Sequence, residues 1–125
     1  ADAMQPGDHG STFAGSPLVC HVANSVLDIV NDSAFLDQVQ MKGDYLREQL
    51  SHALKGAHVQ EIRHCGLLFG IQCDIPVGEI VSKALDLGLM VITAGNGDVI
   101  RLAPPLNVTT DEIDECVTKL CKALD

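Results

Sequence analysis

Aromatic side chains are scarce in this chain of 125 residues, which has no Trp, one Tyr and three Phe. Hydrophobic residues still make up 46% of the sequence, so its core must be aliphatic and built from Leu, Val, Ile and Ala. A chain of this length has room for one domain that buries about two-thirds of its unfolded surface. The sequence contains no internal repeat, low-complexity tract or linker that would divide that domain.

Positive charge is also scarce. Eight Lys and Arg stand against 17 Asp and Glu, which gives a formal net charge of −9 with His neutral. A chain this acidic repels nucleic acids and anionic membrane surfaces. No apolar run reaches the ~18 to 20 residues of a membrane span, and residues 1–5 lack the basic and apolar segments of a signal peptide. We therefore expect neither a nucleic-acid partner nor a membrane partner.

Paired cysteine spacing is missing as well. The chain has five cysteines, an odd number: Cys20, Cys65, Cys73, Cys116 and Cys121. Most of them fall at apolar-periodic positions, where a free thiol packs as a small hydrophobe, so reduced thiols in an intracellular protein are the favoured interpretation. The alternative is a metal site, which would use Cys20, His21, His64 and Cys65. Adjacent Cys-His pairs do not have the spacing that one ion usually requires, and we expect no metal.

The opening loop concentrates groups that can bind an anion. Residues 6–17 have the sequence Pro-Gly-Asp-His-Gly-Ser-Thr-Phe-Ala-Gly-Ser-Pro. Glycine leaves backbone N–H groups uncovered, and the hydroxyls of Ser11 and Thr12 add further donors. An ordinary turn is the alternative, because Gly, Ser and Asp also make plain loops. We expect Asp8 and His9 to shape the loop.

Two helices are predicted after the loop. Ser16 is a suitable N-cap and Pro17 suits the first helical position. The second helix is predicted from a cap at Ser33 to Lys55-Gly56, with Gly43 interrupting it. Apolar residues recur every three or four positions in the first helix and give one stripe: Leu18, Val19, Val22, Ala23, Val26, Leu27 and Val30.

The remaining pattern predicts strands and two further helices. Strands are predicted at 59–63, 67–73, 89–93 and 98–102. The first two form a hairpin about His64-Cys65-Gly66, and the last two form a hairpin around an Asn-Gly pair. A helix is predicted from Pro76 to Gly88, and the last helix opens with a capping box from Thr109 to Glu112. Its predicted buried stripe is Ile113, Cys116, Val117, Leu120, Cys121 and Leu124. This order predicts an α+β fold with a mostly antiparallel sheet and helices on one face.

Three stretches resemble motifs of the class III pyridoxal-phosphate aminotransferases. Residues 7–18 are similar to the family's GDHGSTFGGNPL, with departures at Ala14 and Ser16. Residues 61–71 resemble EVRG-x-GLLLGIEL, and residues 101–109 resemble RLLPPLxIT. The resemblance is specifically to the acetylornithine aminotransferase branch, and residues 14–21 look most like its plant and algal members.

The resemblance implies that residues 1–125 are the C-terminal portion of a longer enzyme, namely the small C-terminal domain of a fold-type I aminotransferase. It divides them into a cofactor-phosphate loop (1–16), a helical segment (17–55) and an α/β small domain (56–125). Family members are considerably longer, and their Schiff-base lysine lies upstream of the loop. We therefore expect no catalytic residue here and no transaminase activity from the chain alone.

The resemblance also implies an activity. A homodimer with pyridoxal 5'-phosphate (PLP) would transfer an amino group from N2-acetylornithine to 2-oxoglutarate, giving the semialdehyde and glutamate in arginine biosynthesis. Alternative donors are ornithine, succinylornithine and 4-aminobutyrate, and the chain could instead be a non-catalytic truncated module that pairs with full-length subunits. We expect an intracellular location: a plastid or mitochondrion for a plant or algal protein, otherwise the cytoplasm.

Three residues acquire roles from the resemblance. Thr12 would bond to the cofactor phosphate across the dimer interface, and Ser11 would contact the substrate. Arg101 would face the active site and bind the substrate carboxylate or pair with an upstream glutamate, since a guanidinium fork takes a carboxylate bidentately. A structural ion pair at the sheet edge is the alternative for Arg101, and we expect a structural role for Arg63.

Two departures from the family pattern bear on local structure. Ala14 replaces a glycine and excludes a positive φ there unless the backbone accepts strain. His64 replaces the glycine that follows the strand arginine, which could alter that hairpin.

Overall fold

The computed structural model describes residues 10–56 and 58–125. The helices are α1 (Pro17–Val30), α2 (Ser33–Ala53), α3 (Gly78–Asp86) and α4 (Thr110–Leu124). The strands are β1 (Val59–Cys65), β2 (Leu68–Cys73), β3 (Ile92–Ala94) and β4 (Val99–Leu102). By internal contacts the chain forms two compact units, which divide between Leu36 and Asp37. The functional segments 1–16, 17–55 and 56–125 stay a prediction.

In the first unit, α1 begins where the sequence predicts. The Ser16 hydroxyl accepts a hydrogen bond from the Val19 N–H at 3.4 Å, and Pro17 occupies the first turn. The cap of α2 differs from the prediction. The Asp32 carboxylate accepts from the Phe35 N–H at 2.8 Å, and Ser33 is already helical. The carboxylate thus satisfies one of the free N–H groups of the first turn.

Within the first unit, the apolar stripe of α1 is left exposed. No residue of α1 is buried, and Leu18 and Leu27 are 74% and 58% exposed. Helical periodicity identifies an apolar face, but burial requires a second layer to pack against that face.

The second unit contains one four-stranded sheet with the order β1-β2-β4-β3. Its three pairings, β1 with β2, β2 with β4 and β4 with β3, are all antiparallel. Both predicted hairpins are present, although β3 is shorter than the predicted 89–93. The sequence prediction of an α+β fold with a mostly antiparallel sheet is confirmed.

The core lies on one face of this sheet. Alternate residues of β2 and β4 point into it, because successive side chains of a strand face opposite ways. Phe69, Ile71, Ile100 and Leu102 are all 3% exposed or less. Helix residues that are 4% exposed or less complete the core: Leu46, Leu50, Ala84, Ile113, Leu120 and Ala123. In α4 the buried stripe takes in Ala123, whereas Cys116, Cys121 and Leu124 are only half-buried.

Gly43 marks a close approach of α2 to the turn between β1 and β2. Gly43 is buried within α2, and a Cβ there would collide with the backbone carbonyl of Gly66. The interruption that Gly43 introduces into the helical pattern is therefore a packing requirement, and α2 continues through it.

Candidate functional site

A row of four residues crosses the sheet on the face opposite the core. Arg63 of β1 pairs with Gly70 of β2, and Gly70 pairs with Arg101 of β4. Arg101 in turn pairs with Ile92 of β3. Directly paired residues of antiparallel strands lie on the same face. The register therefore brings two arginines to either side of a glycine, although they are far apart in the sequence.

This outer face holds a shallow hollow of about 330 Å³ whose lining includes Arg63, Gly70, Val99 and Arg101. Gly70, which has no side chain, lies between the two arginines in the register of the strands. The face therefore has a neutral floor with a cationic side chain on each side.

Arg101 is well placed to bind an anion. It lies on β4, an interior strand of the sheet, and is exposed. Within residues 10–56 and 58–125, no hydrogen bond or ion pair engages its guanidinium. Pro104 and Pro105 follow the strand and restrict the backbone beyond it. The five N–H donors of this guanidinium are thus free to take a carboxylate.

Arg63 has a partner on its own strand. Its Nη1 lies 2.8 Å from Oε2 of Glu61, and the two side chains are 54% and 56% exposed. An exposed ion pair of this kind contributes about 1 kcal/mol or less to stability. The contact fits a structural role for Arg63, but it holds the side chain only weakly.

His64 is accommodated on the core side of the same strand. Its ring stacks on Phe69 with centroids 4.9 Å apart, and its Nδ1 lies 3.2 Å from the Gly66 carbonyl oxygen. The Nε2 atom lies 3.8 Å from Oδ1 of Asp44 on α2. The substitution of His for Gly at this position therefore leaves the hairpin intact and ties it to α2.

The loop before α1 presents its hydroxyls to solvent. Ser11 and Thr12 are exposed, and neither side chain has a hydrogen-bond partner among the residues described. Ala14 has no positive φ, and the left-handed position is Gly15, with φ of 74°. The departure at Ala14 thus leaves this turn unstrained. Asp8 and His9 lie outside the described residues.

The predicted site residues belong to different units. Ser11 and Thr12 lie in the first unit and Arg101 in the second. The sequence did not single out Gly70. Its position inside the predicted strand 67–73 was the available signal, because a glycine inside a strand often marks a place where another group approaches closely.

The cysteines differ in exposure. Cys20 and Cys65 are exposed, and Cys73 is buried. Burial raises the pKa of the Cys73 thiol and raises the pKa of Cys116 to about 11. Thiols with raised pKa values are poor nucleophiles and poor metal ligands at neutral pH. In the part of the chain that the structure describes, no three His, Cys, Asp or Glu side chains group as a metal site would need.

The comparisons with known proteins decide the family. Residues 1–124 match the family Aminotransferase class-III. The chain belongs to the class III aminotransferases. It is 47% identical over 123 residues to acetylornithine aminotransferase of Bacillus subtilis. It is 44% identical over 125 residues to the mitochondrial acetylornithine aminotransferase of Alnus glutinosa.

These alignments cover 98% and 99% of this class III aminotransferase chain, but only 32% and 28% of the two relatives. The chain thus spans less than a third of their length. The ornithine aminotransferase of Toxoplasma gondii ME49 has the same fold, with a TM-score of 0.79 and 34% identity. That alignment covers 98% of this chain and 30% of the Toxoplasma chain.

Class III aminotransferases are PLP-dependent, and the Toxoplasma enzyme crystallised with oxidised glutathione has partial occupancy of PLP at its active site. The donors of this class III aminotransferase chain fit part of that cofactor. Ser11 and Thr12 follow Gly10 and offer hydroxyls, which suit a phosphate oxygen.

The lysines of this chain lie on helices or directly after one. The five lysines are Lys42, Lys55, Lys83, Lys119 and Lys122. Four lie on helices and Lys55 lies in the turn after α2. Lys119 is engaged by Glu115 at 2.7 Å. None of the five lines the hollow between the two arginines.

Among the described helices, none combines the length and the apolar character that crossing a membrane requires.

Proposed function

We propose that this chain is the C-terminal part of a PLP-dependent acetylornithine aminotransferase. The parent enzyme transfers the amino group of N2-acetylornithine to 2-oxoglutarate and yields the semialdehyde and glutamate, as arginine biosynthesis requires. The observation that carries the proposal is the 44–47% identity to acetylornithine aminotransferases over nearly the whole chain. An exposed Arg101 without an ion-pair partner among the described residues supports the assignment, because both substrates carry a carboxylate.

The chain's own residues would bind the cofactor phosphate and orient the substrate. PLP, when bound, supplies the electron sink that amino transfer needs. The Thr12 hydroxyl donates a hydrogen bond to the cofactor phosphate, and Ser11 contacts the substrate. Arg101 donates two parallel hydrogen bonds to the substrate carboxylate, which fixes the orientation of the reacting carbon.

We propose that the parent is a homodimer and that Thr12 reaches the phosphate held by the neighbouring subunit. A hydroxyl is a compact donor, and Gly10, two residues before Thr12, keeps the backbone there free of side-chain bulk, so this hydroxyl can extend to an anion held mainly by another chain. The protein acts inside the cell, in a plastid or mitochondrion if its source is a plant or alga and in the cytoplasm otherwise. The mitochondrial Alnus glutinosa relative and the bacterial relative are consistent with both locations.

The amino donor is proposed from the names of the sequence relatives. Ornithine, succinylornithine and 4-aminobutyrate remain alternatives within the same family, and the structural similarity to an ornithine aminotransferase keeps the first of them open.

A second candidate is a non-catalytic module that pairs with full-length subunits. It is favoured by one observation, namely the exposed apolar residues of α1, where no residue is buried. This candidate requires mixed dimers between the chain and the full-length enzyme.

The inactivity of the chain alone can be tested directly. We expect the purified 125-residue chain, incubated with PLP and reduced with borohydride, to retain no cofactor by intact mass spectrometry. We also expect no turnover of N2-acetylornithine, because no lysine is placed to hold the aldehyde. The full-length dimer serves as the positive control. Stoichiometric retention on one lysine, together with turnover, would contradict the proposal.

A further inference from the structure

The Asn96-Gly97 pair lies in the turn between β3 and β4. The Gly97 N–H donates to the Ala94 carbonyl oxygen at 3.2 Å, so Gly95 and Asn96 are the two corner residues of a four-residue turn. Gly95 and Gly97 have φ of 61° and 91°, whereas Asn96 does not have a positive φ. The backbone therefore favours glycine at 95 and 97, but it does not require asparagine at 96.

An asparagine followed by glycine can react with its own backbone. The Gly97 nitrogen attacks Cγ of the Asn96 carboxamide, its proton leaves with the amide group as ammonia, and a five-membered succinimide forms. Water then opens the ring. Attack of water at Cγ gives aspartate, and attack at the backbone carbonyl carbon gives isoaspartate, whose main chain runs through Cβ and Cγ. Glycine favours the first step, because no side chain hinders its nitrogen.

Both reacting groups of the turn are accessible. Asn96 is exposed, and among the described residues its side-chain amide makes no hydrogen bond. Its backbone N–H donates to Oδ1 of Asp98 at 3.3 Å. The bond from the Gly97 N–H to Ala94 must open before the nitrogen can attack. A single backbone hydrogen bond has a small net free energy, so it slows the reaction only modestly.

The same turn holds the start of α3. The Gly97 carbonyl oxygen accepts a hydrogen bond from the Val77 N–H at 2.9 Å. Val77 is buried, and it is the N-cap residue of α3, where no side chain makes a capping bond. Isoaspartate at position 96 would lengthen the main chain before Gly97 by one methylene and displace that carbonyl. The buried Val77 N–H would then lose its partner, which is unfavourable.

Either product also adds a negative charge near existing ones. Asn96, Asp98 and Asp74 line one hollow of about 350 Å³ beside the turn. A third carboxylate there increases the repulsion between like charges, in a chain whose formal net charge is already −9.

We propose that Asn96 is a site of spontaneous deamidation, and that its conversion to isoaspartate releases the start of α3 from the β3–β4 turn. The reaction needs only water and the chain's own Gly97 nitrogen. It goes beyond the proposed function, because it requires neither substrate nor cofactor. Deamidation would thus be an age-dependent modification of the second unit.

Peptide mapping of the aged 125-residue chain tests the reaction. The chain is incubated in warm, mildly alkaline buffer, and electron-transfer fragmentation then distinguishes isoaspartate from aspartate. We expect a mass gain of about 1 Da at Asn96, because a hydroxyl replaces an amino group. Conversion should be about tenfold faster or more than at Asn24, Asn31 and Asn107, since glycine leaves the attacking nitrogen unhindered. None of these three asparagines is followed by glycine.

A synthetic peptide of residues 91–100 is the positive control for the mapping. If the peptide reacts while Asn96 of the folded chain converts no faster than the other three asparagines, the turn protects Asn96 and the proposal is wrong.

Asn96→Gln separates deamidation from other damage during ageing. Glutamine keeps the amide group, but its longer side chain would have to close a six-membered ring, which forms more slowly. We expect the unchanged chain to melt about 5 °C lower or more once Asn96 has converted, because a buried N–H loses its partner. Asn96→Gln aged in the same way should keep its melting temperature. Equal losses in both chains would contradict the link between Asn96 and stability.

Hydrogen exchange at the Val77 amide, measured by NMR, tests the release of α3 directly. We expect exchange about tenfold faster or more in the isoaspartate form than in the fresh chain, because the amide loses its acceptor. Asn96→Asp carries the added charge without the extra methylene, so its Val77 amide should exchange almost as slowly as in the fresh chain. If Asn96→Asp exchanges as fast as the isoaspartate form, the lengthened backbone does not release α3 and the proposal is wrong.

Discussion

Arg101 combines an interior strand position with an exposed guanidinium, and these two properties have different origins. The strand position follows from the local sequence, because Arg101 stands among the apolar residues Val99, Ile100 and Leu102, and two prolines follow shortly after them. The exposure follows from register, which places Arg101 beside Gly70 and on the outer face. A free, mounted guanidinium of this kind is suited to holding a carboxylate in a fixed orientation.

Substitution of Arg101 in the full-length dimer should damage substrate use while leaving the fold intact. We expect Arg101→Met to lower kcat/KM for N2-acetylornithine and 2-oxoglutarate about 100-fold, because a charge-assisted bidentate contact is lost. Arg101→Lys should recover part of the loss, since it keeps the charge without the fork. Arg47→Met is the control, and steady-state kinetics with thermal melting give the measurement. A loss confined to melting temperature would assign Arg101 a structural role.

The two departures from the family pattern are resolved residue by residue. Ala14 needs no left-handed φ because Gly15 adopts it. His64 fills the space on the core side of β1 by stacking on Phe69. The sequence alone predicts neither result. The first depends on which residue of the turn adopts the left-handed φ, and the second depends on which side chain lies beside His64.

At the scale of elements, the helix N-termini show which structural features the local sequence can predict. The capping box of α4 is present as predicted: the Thr109 hydroxyl accepts from the Glu112 N–H at 3.3 Å, and the Glu112 carboxylate accepts from the Thr109 N–H at 2.8 Å. Both contacts join residues three apart, so the sequence specifies them. The cap of α2 was misplaced by one residue, because Asp32 and Ser33 are both good caps and only the backbone selects between them.

The capping box of α4 predicts a pH dependence of stability. Hydrogen bonds from the backbone and side chain of Thr109 lower the pKa of the Glu112 carboxyl. A lowered folded-state pKa contributes stability above the ordinary pKa and loses it as the pH falls through the lowered value. The free energy of unfolding should therefore fall less steeply in Glu112→Gln than in the unchanged chain between about pH 5 and pH 3.

Urea unfolding at a series of pH values measures this slope, with Glu48→Gln on α2 as the control. At neutral pH, Thr109→Ala should lower the free energy of unfolding by about 1 kcal/mol, the usual loss for an N-cap hydroxyl. Identical slopes for Glu112→Gln and the unchanged chain would show that the box does not form in solution.

At the scale of the whole molecule, the chain is less than a third of the length of the relatives it matches, and its first unit leaves apolar residues of α1 exposed. Val22, Val26 and Leu27 are each at least 50% exposed. Burying a Leu or Val side chain stabilises a contact by about 1.5 to 3 kcal/mol. Burial of these residues against a full-length subunit would therefore favour association.

This association can be measured with a labelled chain. We expect the 125-residue chain to co-elute with the full-length enzyme in size-exclusion chromatography after subunit exchange. Leu27→Lys should weaken the mixed species about tenfold or more, because a charge replaces a leucine that association would bury. Asn24→Lys, a polar position of the same helix, should have little effect. A labelled chain that always elutes alone would contradict the hypothesis that the chain is a non-catalytic module that pairs with full-length subunits.

The sequence by itself determined the family, both hairpins, the N-cap of α1 and the capping box of α4. Those features depend on motifs or on residues three or four positions apart. It also singled out Arg101 by its motif. The tertiary structure alone decided that Gly43 packs against the Gly66 turn, that α1 stays exposed, and that Arg63 and Arg101 flank Gly70. The physical reason is that strand register and helix packing are set by a whole face of the sheet, so they join residues that no local pattern connects.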